Sequence, residues 1–158
     1  MLRSRIRASI MECVLFIGVQ ASGKSSFFAQ RFADTHLRLN LDMLRTRHRE
    51  ALLLRACLDA RAAFVVDNTN PTRADRQRYI PAARAARFRV TGYWFDTSVD
   101  DALRRNAARA RQVPERGVRG THARLEAPAY DEGFDALAVV RLVESTGDFD
   151  VTALPHEV

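Results

Sequence analysis

The chain has 158 residues and a net charge of +6, with 47% hydrophobic and 28% charged residues. This length suits one domain with its own core, and the composition excludes a disordered tail, a collagen-like repeat and a coiled-coil rod. No apolar run approaches the ~18 residues of a membrane span, and the basic start lacks a signal-peptide pattern, so we expect a cytoplasmic protein. Cys13 and Cys57 lie in apolar segments without metal-ligand spacing and are expected to be reduced core residues.

Strands and helices are predicted to alternate along the chain, which favours an α/β fold with a mostly parallel sheet. The predicted strands cover residues 13–17, 37–41, 63–66, 88–95 and 136–143. The predicted helices cover residues 24–33, 42–61, 72–86 with an interruption at Pro81, and 98–110. We expect a basic leader over residues 1–11, the domain over 12–145, and a frayed tail over 146–158.

Residues 18–25 read GVQASGKS and fit the phosphate-loop pattern G-x-x-x-x-G-K-[ST]. The glycines let successive backbone N–H groups point at one anion, and the helix that follows adds its positive N-terminus. Lys24 is expected to reach the β- and γ-phosphates of ATP, and Ser25 to bind Mg²⁺. The predicted nucleotide-binding residues are Gly18, Gln20, Ala21, Ser22, Gly23, Lys24, Ser25 and Ser26.

The class of nucleotide-binding protein is narrowed by the lysine content. Of the 25 lysines and arginines, only Lys24 is a lysine, so the guanine-reading motif Asn-Lys-x-Asp is absent and a GTPase is disfavoured. A single domain also leaves no room for a motor. We therefore predict a single-domain P-loop kinase. For such a domain we expect a five-stranded sheet in the order 2-3-1-4-5 and a small arginine-rich lid.

A kinase also needs a crevice for the acceptor hydroxyl, beyond the carboxyl ends of the strands. Asp42 could be its general base, with Arg45 one turn later, or Asp42 could simply cap a helix. Asp67 ends the third strand, where it could hold Mg²⁺ or belong to a turn. Arg105 and Arg109, spaced i, i+4, could close over the triphosphate or form a solvated basic face.

Taken together, these motifs resemble the kinase domain of the polynucleotide 5′-hydroxyl kinase family. The matching blocks, in the order of that family, are 18–26, 40–45, 67–71 with Arg73 and Arg76, 105–109 with 113–114, and 126–128 with 132–134. They span roughly residues 12–143. The phosphate loop is shared by many kinases. The blocks DNTNP (67–71), EAP (126–128) and EGF (132–134) are more specific to this family. The loop itself departs from the common pattern, because Gln20-Ala21 replaces Pro-Gly.

The resemblance implies a role for each matching residue. Asp42 resembles the general base for a 5′-hydroxyl, and Arg45 the clamp on the phosphate of the terminal nucleotide. The implied catalytic residues are Lys24, Asp42, Arg105 and Arg109, and the implied metal-binding residues are Ser25 and Asp67. The residues implied for the acceptor are Asp42, Arg45, Asp67, Asn68, Thr69, Asn70, Arg73 and Arg76.

Three functions remain open from the sequence. The first is an ATP- and Mg²⁺-dependent kinase of a 5′-hydroxyl RNA or DNA end, which the basic charge and the Asp42–Arg45 pair favour. The second is a kinase of a small metabolite or nucleotide on the same scaffold, which the short segment after Asp42 favours. The third is a nucleotide-binding or hydrolysing module within a complex. The oligomeric state does not follow from the sequence, and no membrane contact is expected.

Overall fold

A computed structural model describes residues 11–156 of the chain. Apart from Met11, the expected basic leader lies outside the described residues. The strands are β1 (Glu12–Ile17), β2 (Leu37–Leu39), β3 (Phe64–Val66), β4 (Arg89–Phe95), β5 (Ala136–Val143) and β6 (Asp148–Ala153). The helices are α1 (Lys24–Arg31), α2 (Leu41–Leu44), α3 (Arg47–Ala60), α4 (Arg73–Arg76), α5 (Ile80–Ala85), α6 (Val99–Ala107) and α7 (Glu115–Arg124). A short 3₁₀ helix covers Tyr130–Glu132.

The strands form one sheet in the order β2-β3-β1-β4-β5-β6. The first five are parallel to their neighbours, so the predicted α/β class and the order 2-3-1-4-5 are confirmed. The sheet has six strands rather than five, because β6 pairs antiparallel with β5. This strand lies in the segment that we expected to fray. Its Phe149 is buried against Phe27 of α1, with the two ring centroids 5.1 Å apart.

β1 lies at the centre of the sheet, and its side chains alternate between two apolar layers. Cys13, Leu15 and Ile17 pack on one face with residues of α3 and α5. Val14 and Phe16 pack on the other face with an aromatic cluster that includes Phe27, Phe32, Phe95 and Phe149. Burial on both faces explains why β1 is a continuous apolar run.

Two predicted helices are interrupted in the structure. The helix expected over 42–61 divides into α2 and α3, because Arg45 has a φ of 77° and Thr46 then caps α3 by accepting from the Arg49 N–H. The helix expected over 72–86 divides into α4 and α5, with Pro81 in the first turn of α5, as the interruption at this proline predicted. Both divisions shorten the helices beside the carboxyl edge of the sheet.

Helix α7 was not predicted. Its sequence ERGVRGTHAR has few apolar residues and two glycines, both unfavourable signals for a helix. Packing stabilises it instead, because Val118 is buried against Val19 of the phosphate loop and Ala102 of α6. The described residues contain no helix long and apolar enough to cross a bilayer. Cys13 and Cys57 are both buried, and burial raises the pKa of the Cys13 thiol.

Candidate active site

The phosphate loop connects β1 to α1 and is held from both sides. The Gly18 N–H donates to the Thr69 carbonyl at 2.9 Å, which ties the loop to the segment after β3. A Cβ on Gly18 would lie 2.8 Å from the Phe95 Cβ, so only glycine fits there. Gly23 has a φ of 100°, and a Cβ there would lie 2.9 Å from the Phe149 ring. The loop is therefore shaped by β4 and β6 as well as by its own sequence.

Lys24 is enclosed by the loop it belongs to, with an exposed fraction of only 9%. Its Nζ donates to the Gly18 carbonyl at 2.9 Å and the Val19 carbonyl at 2.6 Å. Burial lowers the pKa of Lys24 to about 8, against the opposing effect of Asp67 and Asp42 and with a contribution from the Arg109 charge. The ammonium is therefore poised to exchange two carbonyl acceptors for phosphate oxygens.

Arg38 bridges Asp67 and Ser25, because its guanidinium donates hydrogen bonds to both side chains. Asp67 is 2% exposed, and its Oδ2 accepts from the Arg38 Nε at 2.8 Å. The Arg38 Nη2 donates to the Ser25 hydroxyl at 3.1 Å. Arg38 was not among the residues predicted for the site. The one signal available was a single charged residue inside the apolar strand Leu37-Arg38-Leu39.

The two arginines expected in the lid have different surroundings. Arg105 lies on α6 with 17% of its side chain exposed, and its Nε donates to Glu144 at 2.9 Å. Its Nη1 is buried and has no hydrogen-bond partner among residues 11–156. Arg109 follows the end of α6 and is exposed. Hydrogen bonds from Arg104 and then Arg105 lower the pKa of Glu144 to about 2, so this carboxylate anchors the helix in its charged form.

On the opposite side of the phosphate loop, Asp42 lies on the single turn α2 and is exposed. The turn is positioned by residues of the DNTNP block and its neighbours. The Asn68 Oδ1 accepts from the Leu41 N–H at 2.9 Å, and the Asn40 Nδ2 donates to the Asp67 carbonyl at 2.7 Å. Asn40 also caps α2 by accepting from the Met43 N–H. The turn that carries Asp42 is thus anchored to the segment after β3.

One cavity of about 570 Å³ joins these groups. The predicted site residues that line it are Gln20, Ala21, Gly23, Lys24, Ser25, Ser26, Asp42, Asp67, Asn68, Thr69, Arg105 and Arg109. Leu41, Val113 and Leu142 also line it and were not predicted. Gly18 and Ser22 lie behind the lining as part of the loop. The fold therefore brings the phosphate loop, the lid and Asp42 to one space.

Four residues expected at the acceptor do not line this cavity. Arg45 is exposed at the end of α2. Arg73 is bound to Asp131 at 2.9 Å. Asn70 is buried and donates its side-chain amide to the Phe16 carbonyl at 2.8 Å. We therefore assign Asn70 a structural role, since it fastens the segment after β3 to β1.

Arg76 needs the same correction, because its side chain is completely buried away from the cavity. Its Nε and Nη2 bind the two oxygens of Glu132 at 2.6 and 3.1 Å, and its Nη1 donates to the Asn70 and Pro71 carbonyls. A buried ion pair in which every guanidinium nitrogen is hydrogen-bonded is a structural element, since an unpaired charge there would cost several kcal/mol. The pair also explains the EGF block: Glu132 receives Arg76, and Phe134 packs in the core.

The departure at Gln20-Ala21 has structural consequences of its own. Ala21 has a φ of 60°, a conformation that glycine adopts freely and that costs an alanine about 1 kcal/mol. The Gln20 side-chain amide donates to the Thr121 hydroxyl at 3.2 Å. Gln20 therefore connects the phosphate loop to α7, a contact that proline in this position cannot make.

The donor groups of the cavity fit a nucleoside triphosphate and a divalent cation. The unpartnered Nη1 of Arg105 is a buried donor on a residue that lines the same cavity as Lys24, which suits a multiply charged anion. The Ser25 hydroxyl and the Asp67 carboxylate are the oxygen ligands that Mg²⁺ prefers. Both oxygens already receive hydrogen bonds from Arg38.

The parallel sheet, the phosphate loop at the end of β1 and the arginines opposite it define a P-loop kinase domain. Residues 44–128, more than half of the chain, match the AAA domain family, AAA_33. The chain belongs to this family.

A curated relative and two solved structures are similar to the chain. It is 28% identical over 129 residues to the bifunctional polynucleotide phosphatase/kinase of Schizosaccharomyces pombe; the match covers 78% of this chain and 32% of that protein. A gluconokinase from Sinorhizobium meliloti 1021 superposes with a TM-score of 0.60 at 18% identity, over 86% of this chain and 85% of the other. The Pnkp1/Rnl/Hen1 RNA repair complex contains a chain that superposes with a TM-score of 0.60 at 16% identity, over 99% of this chain and 51% of the other.

The chain spans about a third of the curated relative that it matches, 32% of that length. The two solved structures share the P-loop kinase fold with this chain.

Proposed function

We propose that the chain is an ATP- and Mg²⁺-dependent kinase that transfers the γ-phosphate to a 5′-hydroxyl, either of an RNA or DNA end or of a nucleoside 3′-phosphate. One observation carries this proposal: the cavity joins the phosphate loop and the Arg105–Arg109 pair to a carboxylate, Asp42, held on the opposite side. A module that only binds nucleotide has no need of that carboxylate. The similarity to the S. pombe polynucleotide phosphatase/kinase supports a kinase activity.

In the proposed reaction, Asp42 accepts the proton of the acceptor hydroxyl. The acceptor oxygen forms a bond to the γ-phosphorus, and the bond between that phosphorus and the β–γ bridging oxygen breaks, so ADP leaves with the electron pair. Lys24, Arg105 and Arg109 neutralise the charge that develops on the phosphoryl oxygens, which is the main source of catalysis in such reactions. Ser25 and Asp67 would hold Mg²⁺, which when bound offsets further charge on the triphosphate.

The acceptor class is supported by charge as well as by Asp42. Arg45 follows Asp42 by three residues at the C-cap of α2 and is exposed, so its guanidinium is free to meet a phosphate one nucleotide away from the reacting hydroxyl. The net charge of +6 adds a general attraction for polyanions.

A kinase of a small hydroxyl compound is the second candidate. The observation in its favour is that only one helix, α3, lies between α2 and β3. This short segment leaves little protein surface to bind a nucleic-acid strand. Asp42, Lys24 and the lid would serve the same chemistry in either case.

The test is transfer of labelled γ-phosphate to a panel of acceptors: 5′-hydroxyl oligonucleotides, nucleosides, nucleoside 3′-monophosphates and sugars. Nucleoside 3′-monophosphates and oligonucleotides are expected to be the best acceptors. Preferred labelling of a sugar or a free nucleoside would replace the polynucleotide proposal by the small-molecule kinase. A chain that binds ATP, transfers phosphate to no acceptor and turns over ATP equally well after Asp42→Asn would be a nucleotide-binding module.

A further inference from the structure

Arg38 occupies the position between the two groups assigned to the metal. β2 runs parallel to β3 with Arg38 opposite Val65, two residues before Asp67. Its Nε and Nη2 both contact the Asp67 Oδ2, at 2.8 and 2.7 Å. The same Nη2 donates to the Ser25 hydroxyl at 3.1 Å. One guanidinium thus joins the hydroxyl of the phosphate loop to the carboxylate at the end of β3.

The position of Arg38 is held by packing as well as by charge. Its guanidinium carbon lies 5.5 Å from the centroid of the Phe28 ring, and its side chain is 30% exposed. Asp67 is almost completely buried, and a buried carboxylate requires a partner. Arg38 provides that partner. This pair differs from the exposed arginine pairs of the surface, such as Arg55 with Asp59, which contribute little.

A guanidinium and a divalent cation make opposite demands on the same oxygens. The guanidinium uses them as hydrogen-bond acceptors, whereas Mg²⁺ or Mn²⁺ needs their lone pairs as ligands. Two cations on one carboxylate also repel each other. We infer that Arg38 is a tethered cation that competes with the divalent metal for Ser25 and Asp67 and so sets the metal concentration that the nucleotide site requires. This inference rests on the ATP-binding part of the proposed function and is independent of the acceptor.

Removal of the guanidinium should therefore tighten metal binding. Arg38→Gln keeps a polar side chain without the charge, and Arg38→Met keeps an apolar stem on Phe28. Each should lower the metal concentration at half-saturation about tenfold, the effect of losing one charge-assisted competitor. Arg31→Gln is the matched control, because Arg31 also stacks on a phenylalanine of the same helix and contacts neither Ser25 nor Asp67 among residues 11–156.

The decisive measurement is Mn²⁺ titration of the ADP-loaded protein, followed by the electron paramagnetic resonance signal of free Mn²⁺. We expect the midpoint to fall about tenfold in Arg38→Gln or Arg38→Met and to stay unchanged in Arg31→Gln. An unchanged or raised midpoint in a folded Arg38 variant would overturn the inference, since Arg38 would then be neutral toward the metal or assist it.

A second measurement needs no nucleotide. Thermal melting is recorded with and without millimolar MgCl₂, against NaCl at the same ionic strength. The Arg38 variants should melt lower than wild type without Mg²⁺, because Asp67 has lost its cation, and should gain more from Mg²⁺. An equal Mg²⁺ response in wild type and variants would overturn the inference. Failure of wild type to bind ADP would instead reject the ATP site of the proposed function, and the melting comparison would still decide the role of Arg38.

Discussion

The two sides of the cavity are built in different ways. On the ATP side, Lys24 and Asp67 are buried, Arg105 is mostly buried, and each makes hydrogen bonds that fix its position. On the acceptor side, Asp42 and Arg45 are exposed on a single helical turn. A triphosphate is the same in every kinase of this fold, so its site can be rigid before binding. Under the proposed function the acceptor would cover these exposed residues, so substitutions there should affect the acceptor and spare ATP.

The largest loss is expected for Lys24→Ala. The substitution removes the ammonium that the phosphate loop encloses, so kcat/KM should fall more than 10³-fold and ATP binding should weaken as well. Steady-state kinetics and calorimetric titration with ATP measure the two effects. Near-normal turnover in a variant with a native circular dichroism spectrum would contradict the assignment of the ATP side.

Asp42→Asn should lower kcat about 10³-fold while the dissociation constant of ATP stays unchanged, because the amide keeps the shape but cannot accept the proton. Asp59→Asn, at an exposed aspartate of α3, is the control and should behave as wild type. If Asp42→Asn weakens ATP binding as much as it lowers kcat, the two sides of the cavity are not separate.

The adjacent arginines Arg104 and Arg105 offer a matched pair. Both donate to Glu144, but Arg104 is 58% exposed and Arg105 lines the cavity. Arg105→Ala and Arg109→Ala should each lower kcat about 10²-fold, and Arg105→Lys should recover only part because the fork geometry is lost. Arg104→Ala should retain full kcat. Equal losses for Arg104→Ala and Arg105→Ala would show that only the anchoring of α6 matters.

The pH dependence of ATP binding should report Lys24. Because its pKa is lowered to about 8, the ammonium is charged below that pH and deprotonated above it. ATP needs the charged form, so affinity should stay level below pH 8 and fall by up to about tenfold per pH unit above it. Calorimetry in buffers of different ionisation enthalpy should detect proton uptake in that range. The profile of Lys24→Met should lack this decline; a decline of equal slope there would exclude Lys24 as its source.

The smallest effect is expected at Arg45. An alanine at a φ of 77° bears the same backbone strain as the arginine, so Arg45→Ala removes only the side chain. KM should rise about fivefold for an acceptor with a 3′-phosphate and hardly change for one without it, as befits an exposed charge pair. Arg55→Ala is the control on α3. Equal effects on phosphorylated and unphosphorylated acceptors would favour the small-molecule kinase.

Features encoded by neighbouring residues were predictable from the sequence. The phosphate loop and the alternation of strands and helices follow from local patterns of apolar residues and glycines, and the predicted strand order came with the fold class that these patterns indicate. Asp42 and Asp67 could be selected because carboxylates after buried strands collect at one edge of a parallel sheet. Helix α7 could not be predicted in this way, since it depends on packing around Val118 more than on helix propensity.

The tertiary structure decided which charged residues serve the site and which serve the fold. Arg76 and Glu132 lie 56 residues apart and form a buried ion pair, so an arginine of the acceptor motif became a structural residue. Arg38 lies 29 residues from Asp67 and meets it only because β2 and β3 are neighbours in the sheet. In a chain with so many arginines, residue type does not distinguish a ligand-binding guanidinium from a paired one. That distinction depends on the burial and the partners of each guanidinium. Long-range contacts create both, and the spacing of residues along the chain does not reveal them.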